Sequence, residues 1–144
     1  RSHIEIVKIL MKDSRINVNK ASYEGTPFIF TIFEGDLEIT KILSTSPMID
    51  IMSPLKKTNW SPFMVCSFFC ILPVIKIILC SERKIDLDEK TTQNVDNIKE
   101  GLTPLDLAKM EHQEKIRDEN VIIQIIQTFE DHKLNQKESV KKCR

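Results

Sequence analysis

The chain has 144 residues, 41% of them apolar and 29% charged, which is enough for one domain with a buried core. Its 21 basic side chains balance 21 acidic ones, so no net field draws nucleic acid or an anionic membrane surface. The opening residues Arg1-Ser2-His3 carry no secretory-leader pattern and run straight into a helical one, so the chain is expected to be a piece of something longer.

The first predicted element is a helix over Ile4 to Met11, with Ile4, Val7, Ile9 and Leu10 on an apolar stripe and Lys8 pointing outward. Its heptapeptide Ile4-Glu5-Ile6-Val7-Lys8-Ile9-Leu10 recurs 33 residues later, from 4 to 37, as Leu37-Glu38-Ile39-Thr40-Lys41-Ile42-Leu43. A third copy, Leu72-Pro73-Val74-Ile75-Lys76-Ile77-Ile78, follows 35 residues on, from 37 to 72. A second marker precedes these helices. Thr26-Pro27-Phe28, Ser61-Pro62-Phe63 and Thr103-Pro104-Leu105 each open a further helical pattern. Thr or Ser caps the first turn through its hydroxyl, and Pro suits the next position, where no backbone donor is needed. Asp106 adds a negative charge at the positive end of the third of these helices. Five residues after each cap stands a small side chain, Thr31, Cys66 or Ala108, which lets two helices approach closely. Pro73 is expected at the first position of its helix.

Helix pairs of this kind carry too much apolar surface to stand alone, and stacking buries it. The pattern resembles the ankyrin repeat over about residues 3 to 127, through its spacing and a variant of the Thr-Pro-Leu-His-x-Ala signature. The resemblance implies an all-α fold, an ankyrin-repeat solenoid of stacked helix-turn-helix units with projecting turns. The repeat domain is expected over 1–130, with a partial first unit at 1–19 and units at about 20–52, 53–87 and 88–130. Ile16-Asn17-Val18-Asn19, Ile49-Asp50-Ile51 and Ile85-Asp86-Leu87 match the approach to each projecting turn.

The repeats are degenerate. The signature His is replaced by Ile29, Met64 and Asp106. The glycine between paired helices survives only as Gly35, with Cys70 and His112 elsewhere at an expected left-handed position. The third turn, Asp88 to Gly101, is enlarged, and the last second helix is expected to begin near Asn120. The fourth unit is expected to cap the stack, with Gln124, Gln127, Glu130 and Asp131 on a polar outer face. Residues 131–144 form a charged tail containing Lys133, Lys137, Lys141, Lys142 and Arg144, read as a fraying, solvated end or as a basic targeting segment.

Members of this family bind proteins through the projecting turns and the inner face of the first helices. Carried over, the resemblance assigns partner contacts to Tyr23 and Glu24, to Lys57, Thr58 and Trp60, to the enlarged third turn, and to the positions seven and eight after each cap. Position seven gives Phe33, Phe68 and Met110; position eight gives Glu34, Phe69 and Glu111. Two readings of the Phe33–Phe68–Met110 column stand. It is an apolar stripe that, with Trp60, anchors a helical or apolar segment, or a shifted register turns it into helix–helix core.

Other chemistries find little footing. Gly25, Gly35 and Gly101 cannot form a phosphate-cradling loop, and His3, His112 and His132 are scattered, so no catalytic, cofactor or metal residues are assigned. Cys66 and Cys70 fall short of a four-ligand zinc site. All four cysteines, with Cys80 and Cys143, are read as reduced, and those in the apolar run as buried, in a cytoplasmic protein. Asn59-Trp60-Ser61 matches a glycosylation pattern, but Ser61 is needed as a helix cap. Phe63 to Cys80 has membrane-span length, yet Pro73 and the register of Lys76 favour two short helices. The expectation is a monomeric, non-enzymatic scaffold binding another protein, with a passive spacer in a larger protein such as a kinase as the alternative.

Overall fold

The computed structural model describes residues 3–81, 83–110 and 119–142. These form an all-α arrangement: α1 (Ile4–Lys12), α2 (Pro27–Glu34), α3 (Leu37–Thr45), α4 (Pro62–Phe68), α5 (Leu72–Leu79), α6 (Pro104–Lys109) and α7 (Glu119–Lys142). Among the described residues the extended pairing is confined to one isolated bridge, Val95 with Ile98.

The helices begin where the capping chemistry dictates. Thr26, Ser61 and Thr103 each accept a hydrogen bond from the backbone N–H three residues on, at 3.5, 3.2 and 3.2 Å, and proline follows directly. Thr103 and Asp106 close a reciprocal capping box, with Thr103 N donating to Asp106 Oδ2 at 3.0 Å. Asp36 caps α3 by accepting from Ile39 N at 3.1 Å. In α5, Pro73 is the second helical residue rather than the expected first, since Leu72 already has helical geometry. Gly35 ends α2 at φ 70, and Cys70 takes φ 53 between α4 and α5, both in the expected left-handed region. His112 lies outside the described residues.

Packing follows an alternation. α2 packs on α3, α4 on α5 and α6 on α7, while α1, α3, α5 and α7 line up in succession and α4 meets α6. The small residues sit at these approaches: Thr40 Oγ1 donates to Thr31 Oγ1 at 3.0 Å, and Cys66 and Ala108 are buried. One apolar cluster runs through the stack, from Phe28 and Leu43 through Phe63 and Ile75 to Ile125 and Phe129. A fully buried side chain of this size contributes about 1.5–3 kcal/mol. Equivalent positions show where the stack is open. Leu43 is 4% exposed and Ile78 fully buried, but Leu10 of α1 is 46% exposed, α1 being packed chiefly on α3 among the described residues.

The approaches to the turns repeat a side-chain device. The carboxyl or amide oxygens of Asn17, Asp50 and Asp86 accept from the backbone N–H two residues on, at 3.1, 2.9 and 2.9 Å. Asn19 then ties one unit to the next, donating to Met48 O and accepting from Asp50 N, both at 2.8 Å. Arg83 performs a similar service, donating to the carbonyls of Ser46 and Ile49.

Two further expectations need correction. The expected tail does not separate at 130: α7 runs unbroken to Lys142, with Phe129 in the core and Lys133 Nζ 2.7 Å from Asp88 Oδ1. The exposed faces of Gln124, Gln127, Glu130 and Asp131 carry the polarity foreseen for the last unit. Cys80 is exposed rather than buried, since it closes α5 beyond the apolar stripe. The apolar run 63–80 breaks at Phe69–Ile71 into α4 and α5, and no helix among the described residues is long and apolar enough to cross a membrane.

Candidate aromatic docking site

The first helices determine what their common edge presents. In α2 the cap at Thr26 fixes the phase, so Phe28, Ile29 and Ile32 turn inward and Phe30 and Phe33 turn outward. In α4 the residues Phe63 to Ser67 are buried, leaving Phe68 half-buried and Phe69, at the end of the helix, on the surface. Four aromatic rings follow one another from these two helices. The Phe33 and Phe69 centroids lie 6.1 Å apart, Phe69 and Phe68 5.0 Å, and Phe68 and Trp60 5.1 Å, each pair edge to face. Exposure falls along the row, from 50% at Phe33 and 36% at Phe69 to 5% at Trp60.

The expected column thus changes composition. Phe33 of one helix pair meets Phe69 of the next, position seven meeting position eight. Phe68 and Met110 both turn partly into a second apolar cluster with Trp60, Met64, Val65 and Leu107. Trp60, assigned to the surface of a turn, is buried. The reason is the enlarged third turn, which folds back as a hairpin. Thr91 N donates to Leu102 O at 2.9 Å and Gly101 N to Thr91 O at 2.7 Å. Val95 and Ile98 exchange backbone bonds of 2.9 and 2.8 Å around Asp96 at φ 50. Val95 and Ile98 pack into the Trp60 cluster, and the indole Nε1–H is buried with no hydrogen-bond partner among the described residues.

The remaining assigned residues scatter around this row. Tyr23 and Glu24 are exposed at a turn in which Ser22 N donates to Gly25 O at 2.9 Å. Glu34 and Lys57 are exposed, and the Lys57 carbonyl accepts from Gln93 Nε2 at 3.0 Å. Thr58 is half-buried, its hydroxyl accepting from Trp60 N at 3.3 Å. Glu111 lies outside the described residues. Sequence reasoning passed over Phe30, one helical turn before Phe33 and also exposed, although the i, i+3 spacing was readable. It also passed over Val95 and Ile98, whose flanking of Asp96-Asn97 is a hairpin signal.

The polar groups near the row are structural in their geometry. The Ser61 hydroxyl accepts from Met64 N and donates to the Glu89 carboxylate. Burial pushes Glu89 above the usual carboxylate range; the Ser61 bond opposes this and Asp86 adds to it. Burial likewise raises the Cys66 and Cys70 thiols, which keeps both protonated and poorly nucleophilic near neutrality. Among the described residues, no group of three or more His, Cys, Asp or Glu side chains could hold a metal ion. A separate concavity of about 430 Å³ lies between α5 and α7, lined by Leu79 and by polar side chains that include Lys76, Gln124, Asp131 and His132.

No protein-family model matches the chain, and no curated protein sequence matches it.

Proposed function

We propose that this chain is a protein-interaction module of degenerate ankyrin-type repeats, with no catalysis of its own, that holds an apolar segment of another protein along Phe33 and Phe69. The observation behind this reading is the edge-to-face contact of Phe33 with Phe69, which joins successive helix pairs into one exposed aromatic surface. Exposed rings that are already ordered against each other make effective anchors, because little side-chain freedom is left to lose on binding. Tyr23, Glu24, Glu34 and Lys57 then serve as a polar rim. The free thiols of Cys66, Cys70 and Cys80 fit a reducing, intracellular compartment.

The test is affinity capture with the intact chain beside its Phe33→Ser/Phe69→Ser variant, followed by direct binding of the captured protein. A specific partner held by the parent and weakened at least tenfold in the variant supports the reading. A partner held equally by both removes the aromatic surface from the account. A second reading, a passive spacer that sets neighbouring domains, draws on the open apolar face of α1 at Ile6, Ile9 and Leu10. It expects no specific partner for the chain alone.

A further inference from the structure

We infer that the hairpin Thr91–Leu102 is a displaceable cover, and that lifting it extends the aromatic surface inward to Trp60 for the same apolar peptide segment. This inference rests on the binding role proposed for Phe33 and Phe69. The rings run without a gap from the exposed Phe33 to the buried Trp60, so the hidden end belongs to the same row as the open end. Trp60 shares its cluster with Leu55, Met64, Val65, Phe68 and Leu107, and one piece of chain, the hairpin, closes the cluster over with Val95, Ile98 and Leu102. The hairpin satisfies its own backbone through Thr91, Leu102, Val95 and Ile98, and Thr91 Oγ1 further closes its base by accepting from Leu102 N at 3.0 Å. It can therefore move as a unit without breaking its internal hydrogen bonds.

Its attachment to the turn before α4 is light. Among the described residues two side-chain hydrogen bonds reach across, both solvent-exposed: Asn59 Nδ2 to Thr92 Oγ1 at 2.8 Å and Gln93 Nε2 to Lys57 O at 3.0 Å. Val95, Ile98 and Leu102 are only half-buried where they meet the Trp60 cluster, and Thr91 at the base is buried. The closed form also leaves the Trp60 Nε1–H buried with no hydrogen-bond partner among the described residues, which penalises closure. Opening lets water, or a carbonyl of the bound segment, accept that bond. Two exposed hydrogen bonds and a half-buried apolar face, against a buried donor left unsatisfied, are the signature of a segment that opens below the global unfolding free energy.

Native-state hydrogen exchange tests the opening directly, with the single tryptophan as reporter. The indole N–H of Trp60 should exchange through this opening at least tenfold more often than the amides of α5, while the amides of Val95 and Ile98 keep the protection of their mutual bonds. Exchange of the indole only with global unfolding would overturn the inference. Two variants supply a second reading with 1-anilinonaphthalene-8-sulfonate as the apolar probe. The Thr92→Ala/Gln93→Ala chain, with both tethers cut, should stay folded, bind the dye and transfer excitation from Trp60 to it. An Asn59→Cys/Thr92→Cys chain, in a Cys80→Ser/Cys143→Ser background, should exclude the dye when oxidised and admit it when reduced. Equal dye binding in the tether-cut and oxidised forms would also overturn it. Neither readout uses the partner. Failure to capture one sinks the binding role and leaves these results standing, and failure here leaves Phe33 and Phe69 as the docking surface.

Discussion

Gly35 and Cys70 occupy the same station in successive helix pairs, and both hold a left-handed backbone, at φ 70 and φ 53. Glycine adopts this conformation freely, whereas a side chain bearing Cβ is strained there by about 1–2 kcal/mol. A Cβ added at Gly35 would meet nothing within 4 Å, so Gly35→Ala isolates the backbone term. The expected loss is about 1 kcal/mol, read as a lower urea midpoint at unchanged slope. An unchanged midpoint would mean that the connection relaxes to another geometry. Cys70→Gly is less simple, because strain relief is opposed by loss of the Sγ contact with Ala108 O at 3.5 Å.

Phe129 anchors the last helix. Its ring stacks on Phe63 at 5.3 Å, and both side chains are buried, Phe63 in α4 and Phe129 in the segment where the repeat pattern fades. Phe129→Ala should cost about 3–5 kcal/mol, the range for a large core truncation. A loss below about 0.5 kcal/mol, measured by urea denaturation, would show that α7 is appended to the stack rather than part of its core.

Two carboxyl groups give stability opposite dependences on pH. Hydrogen bonds from Thr103, side chain first and backbone next, hold Asp106 below its ordinary 3.8. The folded state then binds its proton less readily than the unfolded one. Its contribution is complete above about 3.8 and disappears as pH falls through the lowered folded value. Asp106→Asn should therefore soften the acid limb of a stability profile.

Glu89 runs the other way, since burial raises it above its ordinary 4.5. The folded state holds that proton more tightly. The contribution of Glu89 is largest below 4.5 and declines as pH rises through the raised folded value. Glu89→Gln, which can still accept from Ser61, should flatten the decline and leave the chain at least as stable as the parent at pH 7. A variant that keeps the full decline would assign it to another group. Urea midpoints between pH 3 and pH 8 read both effects.

Element positions were legible because local chemistry fixes them. The Thr26, Ser61 and Thr103 caps, the prolines after them and the periodic apolar stripes announce the starts of α1 to α6 to within a residue, and α7, described from Glu119, was expected near Asn120. The left-handed station at Cys70 was legible too, because the spacing demanded it even without glycine. What escaped depended on contacts distant in sequence. Nothing near Trp60 says that Val95 and Ile98 fold over it. Nothing near Phe129 says that its partner is Phe63, so the expected boundary at 130 fell within a continuous helix. The docking row was half legible for the same reason: the helix phase put Phe33 outside, but only the mutual angle of α2 and α4 decides that Phe69 rather than Phe68 meets it.

That choice between neighbouring rings gives a direct test of the division between frame and surface. Phe68 leans on Trp60 within the second cluster, while Phe69 is exposed and touches Phe33 and Phe68 by its edges. Phe68→Ala should remove partly buried core and lower stability by about 2–3 kcal/mol, somewhat below the full cost of a buried phenylalanine. Phe69→Ala loses mainly edge contacts and should cost about 1 kcal/mol or less. The fluorescence of Trp60 should shift in the Phe68 variant and stay near the parent in the Phe69 variant, since only Phe68 contacts the indole at 5.1 Å. Binding should show the reverse order once corrected for folding, with Phe69→Ala weakening a partner while the chain stays folded. Equal stability losses in the two variants would mean that the row is core along its whole length, and the exposed end could not then be separated from the frame as a docking surface.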